Sequence, residues 1–135
     1  METIYNTKCF DIAKRNGLKV KALMSIGHPG ESLETIRESL DWLKIVKPDE
    51  IDISIISIYP GSEYFNKSVL ENGRLKYLSN KTNDVLYIKN IDFLEESNFY
   101  KSKSDEYISY VSTETLSYDD IDTQRALIDN EINKK

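Results

Sequence analysis

The sequence predicts an α/β fold that is built on a parallel βαβ unit. Residues 18–26 and 51–59 are rich in apolar and β-branched side chains, which is typical of strands in a covered sheet. A helix with one apolar stripe lies between them, beginning after Ser32 and ending before Pro48. Two strands joined by one crossover helix within about 40 residues lie parallel in the same sheet.

The helices around this unit follow from the spacing of apolar side chains. Residues 2–16 are predicted to form a first helix that ends at Gly17, with Tyr5, Cys9 and Ile12 recurring at helical spacing. The crossover helix has a longer stripe, which we expect to pack on the sheet. Its members are Leu33, Ile36, Leu40, Leu43 and Val46.

The second half of the chain is predicted to be a C-terminal α+β extension. Its elements are a short helix at 62–72 closed by Gly73, a polar loop at 74–84, short strands at 85–91 and 99–111 with a turn near 104–106, and a final helix after Ser117. Asp119 and Asp120 suit the positive N-terminal end of that final helix.

Composition narrows the class of protein. The 135 residues have a formal charge of -5, which argues against a nucleic-acid partner because phosphate binding needs clustered Lys and Arg. No apolar run approaches the roughly 20 residues of a membrane span, and the first residues lack a secretory signal pattern. Cys9 is the only cysteine, so an internal disulfide is excluded. We expect a cytoplasmic protein without membrane or nucleic-acid partners.

The predicted sheet is incomplete. The second strand has apolar residues on both faces, and a parallel sheet of two strands is not stable by itself. The chain is therefore expected to need either a missing N-terminal part or self-association, and to be sticky when isolated.

Two loops follow the carboxyl ends of the predicted strands, where ligands bind in α/β sheets. In residues 25–32, Gly27 and Gly30 allow a close backbone approach, and Glu31 places a carboxylate at a helix start. The second loop, residues 58–63, has similar Pro-Gly punctuation. A tight βα turn with a helix-start acid and a ligand loop both explain these residues.

Three segments carry a family resemblance. KALMSIGHPGESLETIRESL (21–40), KPD (47–49) and IISIYPGSEY (55–64) resemble the fifth strand, helix and sixth strand of radical S-adenosylmethionine enzymes, most closely the group associated with cobalamin-binding domains. Residues 2–17 are similar to the preceding helix, and residues 111–117 to the family's C-terminal extension. The resemblance implies that residues 1–73 are the C-terminal half of a partial (β/α) barrel and that residues 74–135 are its extension.

The implied chemistry is the reductive cleavage of S-adenosylmethionine by a four-iron four-sulfur cluster, which starts radical chemistry on a substrate. The cluster ligands of the family, Cys-x-x-x-Cys-x-x-Cys, are absent, and Cys9 does not belong to that motif. The resemblance therefore implies a complete enzyme with a further N-terminal half, whereas this chain alone is expected to be inactive. It leaves the substrate and the use of cobalamin open.

The resemblance also assigns candidate cofactor contacts. The positions that match the family's cofactor segments are Ser25, Ile26, Gly27, Ile58 and Tyr59. Glu31 is a further candidate, although an acid at a helix start is more often a capping residue. His28 stands where the family often has an apolar residue, and a lone loop His is more often structural than catalytic.

Two other classes of function remain open. A truncated or split-gene product could act as a non-catalytic interaction module that pairs through its open sheet edge. An unrelated βαβ phosphate binder is a weaker alternative, because the loop lacks the Lys-Ser or Lys-Thr of a P-loop.

Overall fold

The computed structural model describes residues 3–95 and 108–133. It is a mixed α/β structure with one sheet of two parallel strands and one sheet of four antiparallel strands. In chain order the elements are α1 (Thr3–Arg15), β1 (Lys21–Ile26), α2 (Leu33–Val46), β2 (Glu50–Ile55), α3 (Glu63–Asn66), β3 (Val69–Glu71), β4 (Arg74–Leu78), β5 (Val85–Lys89), β6 (Val111–Thr113) and α4 (Tyr118–Asn133). The α/β class is confirmed at this level, and the described strands form no closed barrel.

The parallel βαβ unit is confirmed. β1 and β2 pair in register along their full length, from Lys21 with Glu50 to Ile26 with Ile55. α2 begins at the predicted cap, where Ser32 Oγ accepts a hydrogen bond from the Thr35 N–H at 3.2 Å. Its stripe is buried at Ile36, Leu43 and Val46 and partly buried at Leu40, whereas Leu33 is exposed.

β2 differs from its prediction in length and in burial. It ends at Ile55, which pairs with Ile26, the last residue of β1. Only one face is buried: Ile51, Ile53 and Ile55 point into the core, whereas Glu50, Asp52 and Ser54 are exposed. The expectation that this strand is apolar on both faces is wrong.

The first strand is also shorter than predicted at its start. Leu18 N–H donates to Ala13 O at 3.0 Å and Gly17 N–H donates to Lys14 O at 3.1 Å, the bond pattern of a Schellman helix end. Residue 18 therefore belongs to the closing turn of α1, and β1 begins only at Lys21.

The apolar stripe predicted for α1 faces solvent. Tyr5 is 65% exposed and Ile12 54%, and Cys9 is exposed as well. The helix packs instead through Phe10, whose ring meets Trp42 of α2 edge-on with centroids 5.5 Å apart. An apolar stripe of this kind usually lies against a neighbouring element, and the described residues supply none.

The segment around Gly73 is a hairpin and not the end of a helix. Asn72 and Gly73 both have positive φ, 52° and 79°, and form the two-residue turn between β3 and β4. The predicted helix at 62–72 is therefore confined to Glu63–Asn66. The predicted loop at 74–84 is also wrong in its first part, because β4 occupies Arg74–Leu78.

The remaining predictions for the extension have mixed outcomes. β5 at Val85–Lys89 confirms the strand predicted at 85–91. The strand predicted at 99–111 is wrong at residues 108–110, since β6 starts at Val111. Residues 99–107, including the turn near 104–106, lie outside the described residues.

α4 begins at the predicted cap. Ser117 and Asp120 cap it reciprocally, with Asp120 N–H donating to Ser117 Oγ at 3.1 Å.

α4 also occupies the outer edge of the parallel sheet. Arg125 Nε donates to Ile53 O at 3.0 Å. Asn133 Nδ2 donates to Ile51 O at 3.0 Å, and its Oδ1 accepts from the Ile51 N–H at 3.1 Å. Side chains of α4 therefore occupy backbone groups on the outer edge of β2.

One hydrophobic core joins the two halves of the chain. It consists of Ala22, Ile26, Ile36, Leu43, Ile51, Ile53, Ile55, Ile58, Tyr77, Leu86, Ile88, Val111, Leu116, Ile121 and Ile128. The division at residue 73 stays a prediction. Among the described helices, none combines the length and apolar character needed to cross a bilayer.

Candidate functional site

The two Gly-Pro loops leave the same edge of the parallel sheet. Because β1 and β2 run in the same direction with Ile26 opposite Ile55, residues 27–31 and residues 59–63 follow the carboxyl ends of adjacent strands. This placement, predicted from the sequence, is confirmed. It is the edge at which α/β sheets bind ligands.

A cleft of about 510 Å³ lies beside β1 at this edge. Its lining residues come from β1, the following loop and α2: Leu23, Met24, Ser25, His28, Glu31, Thr35, Glu38, Ser39 and Trp42. Ser25 Oγ and His28 Nε2 lie 2.7 Å apart, within hydrogen-bond distance. The cleft thus combines three hydroxyls, an imidazole and two carboxylates with apolar surface.

The βα loop is held against the C-terminal extension. Gly27 has a φ of 95°, and a Cβ at this position would lie 3.0 Å from Val111 Cγ2. The Glu31 carbonyl oxygen accepts hydrogen bonds from Thr113 Oγ1 at 2.9 Å and from Thr115 Oγ1 at 3.0 Å. β6 and the turn after it therefore fix the backbone from which His28 and Glu31 project.

The structure brings only some of the candidate residues together. Ser25 and Glu31 line the cleft, whereas the Ile26 side chain is buried in the core. Ile58 is buried as well, and Tyr59 is 48% exposed outside the cleft. These last two positions lie on the correct sheet edge without lining the cleft beside Ser25.

The sequence analysis did not assign the α2 wall of the cleft. Thr35, Glu38, Ser39 and Trp42 follow one another at spacings of three, one and three residues, which places them on one helix face. That spacing was the available signal. It was overlooked because the apolar stripe on the neighbouring face dominates the pattern of this helix.

Burial shifts the pKa values of both titratable groups of the loop, His28 and Glu31. Partial burial lowers the pKa of His28 from 6.5, because removal of water disfavours the imidazolium. Burial likewise raises the pKa of Glu31, and hydrogen bonds from the His28 backbone and the Thr35 hydroxyl oppose the rise. Neutral imidazole is therefore the dominant form of His28 at neutral pH.

His28 is the only histidine, so its titration can be followed directly. We expect its imidazole protons to titrate with a midpoint below 6.5 in an NMR series. The folded state then binds fewer protons than the unfolded state, so this group's contribution to stability is present above pH 6.5 and is lost as pH falls below it. A midpoint at or above 6.5 would contradict the burial of this ring.

The residues present do not fit an iron-sulfur cluster. Cys9 lies exposed on α1, and one thiol cannot supply the three cysteine ligands that such a cluster takes in the family. In the described part of the chain, no group of three or more His, Cys, Asp or Glu side chains is arranged to hold a metal ion.

Comparisons of the chain with protein-family models, with curated proteins and with solved structures found no match.

Proposed function

We propose that this chain is the C-terminal portion of a radical S-adenosylmethionine enzyme, in which a separate N-terminal half supplies the cluster. The single observation that supports this most is the asymmetry of the parallel sheet. The outer edge of β2 is occupied by Arg125 and Asn133, whereas no described residue pairs with the outer edge of β1. The C-terminal end of a partial barrel requires this arrangement. Its last strand has an occupied outer edge, and its first strand offers a free edge to a preceding strand.

The two faces of the sheet support the same assignment. α2 and α4 cover one face and contribute Ile36, Leu43, Ile121 and Ile128 to the core. The other face is open and mostly polar, with Lys21 lying 3.9 Å from Glu50 and 3.7 Å from Asp52. In a (β/α) barrel the helices lie outside, and the uncovered face of the strands points to the interior.

Two apolar surfaces lie beside the open edge of β1. Leu23, on the open face, is 76% exposed, and the α1 stripe that includes Tyr5 and Ile12 is also exposed. A preceding strand paired with β1 would pass along Leu23 and Ser25, and a helix following that strand would be α1 itself. The proposal therefore places the missing half against β1 and against the exposed stripe of α1.

The candidate cofactor contacts belong to this proposal. In a completed barrel, the loop at Ser25 and Gly27 and the end of β2 near Tyr59 would border the same interior edge. When bound, the cofactor would supply the radical chemistry. The residues of this chain would shape the rear wall of that pocket, and Gly27 would allow the backbone to approach the cofactor closely.

The proposal is tested by reading the coding sequence upstream of Met1 and by expressing the extended protein. We expect Cys-x-x-x-Cys-x-x-Cys upstream, and we expect the anaerobically reconstituted extended protein to show iron-sulfur absorbance and to release 5′-deoxyadenosine from S-adenosylmethionine. The 135-residue chain, treated identically, should show neither. An extended protein with the cysteines but without cleavage would contradict the proposal, and an upstream stop codon would favour the interaction module.

Self-association of the isolated chain is the second expected result. Burial of the exposed parts of Tyr5 and Ile12 between copies would be favourable by about 1–2 kcal/mol for each side chain, before the entropic cost of association. We expect light scattering coupled to gel filtration to show masses above 15.6 kDa that rise with concentration.

A matched pair of variants locates the surface responsible. Tyr5→Gln combined with Ile12→Gln should shift the chain towards the monomer mass, since both side chains belong to the exposed α1 stripe. Ile45→Gln is the control, because Ile45 of α2 is even more exposed than these two side chains but lies outside that stripe. A wild-type chain that stays monomeric at every concentration would show that this stripe needs no partner.

A further inference from the structure

Ser25 is a candidate cofactor contact in the proposed function, but its pairing with His28 has no role there. The hydroxyl oxygen lies 2.7 Å from His28 Nε2, and both side chains open into the 510 Å³ cleft. A nucleophile and a base within hydrogen-bond reach are the structural signature of an activated hydroxyl. The carboxyl end of β1 and the Gly27 turn hold the two residues three positions apart in this geometry.

We propose that Ser25 is a nucleophile, activated by His28, that attacks uncharged carboxylic esters bound in this cleft. Ser25 Oγ forms a bond to the acyl carbon while its proton passes to His28 Nε2. The bond from the acyl carbon to the leaving oxygen then breaks, and that oxygen takes the proton from Nε2. A water molecule, deprotonated by His28, attacks the acyl-serine and releases the carboxylic acid with the Ser25 hydroxyl restored.

The charges of the cleft select the class of ester. Glu31 and Glu38 line it, and none of its lining residues in the described part of the chain is Lys or Arg. An anionic ester would be repelled, whereas a neutral acyl group can lie against Leu23, Met24 and Trp42. Burial lowers the pKa of His28, which agrees with this role, because the neutral ring needed to accept the proton prevails at neutral pH.

The inference does not rest on the radical S-adenosylmethionine proposal and concerns the 135-residue chain by itself, in which no described strand covers the edge of β1 at Leu23 and Ser25. The 135-residue protein is incubated with p-nitrophenyl acetate, and acetylation is located by peptide mass spectrometry after an acid quench. We expect Ser25 to be the only acetylated residue, with an initial rate of labelling equal to the initial rate of p-nitrophenolate release. Acetylation found on His28 or spread over surface Lys residues would overturn the inference.

Two variants and one control separate activation from background reaction. Ser25→Ala should abolish labelling, and His28→Gln should slow it by about 100-fold or more, the usual effect of losing a general base. Ser54→Ala is the control, because Ser54 pairs with Ser25 in register on the same exposed face. Its labelling rate should match wild type, and equal rates in all four proteins would refute the inference.

A pH profile keeps the test independent of how the variants fold. In the wild-type protein, the labelling rate should fall as pH drops through the midpoint of the His28 titration measured by NMR. A labelling rate that is flat across that midpoint would show that His28 does not activate Ser25.

Discussion

Truncation of Ile128 to Ala should lower the free energy of unfolding by about 2–5 kcal/mol. Ile128 is 1% exposed and belongs to the core that α4 shares with β2 and α2. The substitution removes buried apolar surface and leaves a cavity at the junction between the C-terminal helix and the parallel sheet. Urea unfolding followed by circular dichroism measures the change.

Leu127 provides the matched control, because it is the preceding residue of the same helix and is 46% exposed. Leu127→Ala should change the unfolding free energy by less than about 1 kcal/mol, since it opens no cavity. A similar loss in both variants would mean that α4 does not cover β2. A large loss at Ile128 alone is the result expected if α4 packs against the parallel sheet.

Gly27→Ala should cost about 2–4 kcal/mol, from backbone strain together with overpacking. Gly27 has a φ of 95°, which a residue with a side chain rarely adopts. The added Cβ would lie 3.0 Å from Val111 Cγ2, and Val111 is fully buried in β6. The same change should disturb the geometry of Ser25 and His28, which flank the turn, so the midpoint of the His28 titration should move as well.

Gly17→Ala separates the two causes of this loss. Gly17 also has a positive φ, 74°, but nothing lies within 4 Å of the position its Cβ would take. Its substitution should cost only the backbone strain, about 1–2 kcal/mol. If both glycine variants lose the same stability, the contact between the βα loop and β6 contributes nothing.

Local sequence patterns predicted the elements whose partners lie nearby in the chain. The Ser32 cap and the stripe of α2 specify a helix, and the apolar runs on either side specify two strands that must be parallel. The hairpin at Asn72-Gly73 was also encoded locally, and the prediction failed there because Gly73 was interpreted as a helix end. That error was one of interpretation, since the required turn residues are present.

Long-range packing decided what the patterns could not. Tyr5, Cys9 and Ile12 have the spacing of a buried stripe, yet whether a stripe is covered depends on elements that the pattern does not contain. In the same way, Arg125 and Asn133 occupy the outer edge of β2. They bond to Ile53 and Ile51, which lie 72 and 82 positions earlier in the chain. No local rule predicts such a pairing.

In the candidate site, too, some features follow from local sequence patterns and others from long-range packing. The residues after β1 specify a Gly-Pro loop and an acid at a helix start, because turn geometry and helix starts depend on neighbouring residues. Long-range packing brings Ser25 and His28 to 2.7 Å, places α2 as the facing wall, and turns Ile26 and Ile58 into the core. This is so because side-chain direction at a loop is set by what the loop packs against, here β6 and the turn after it.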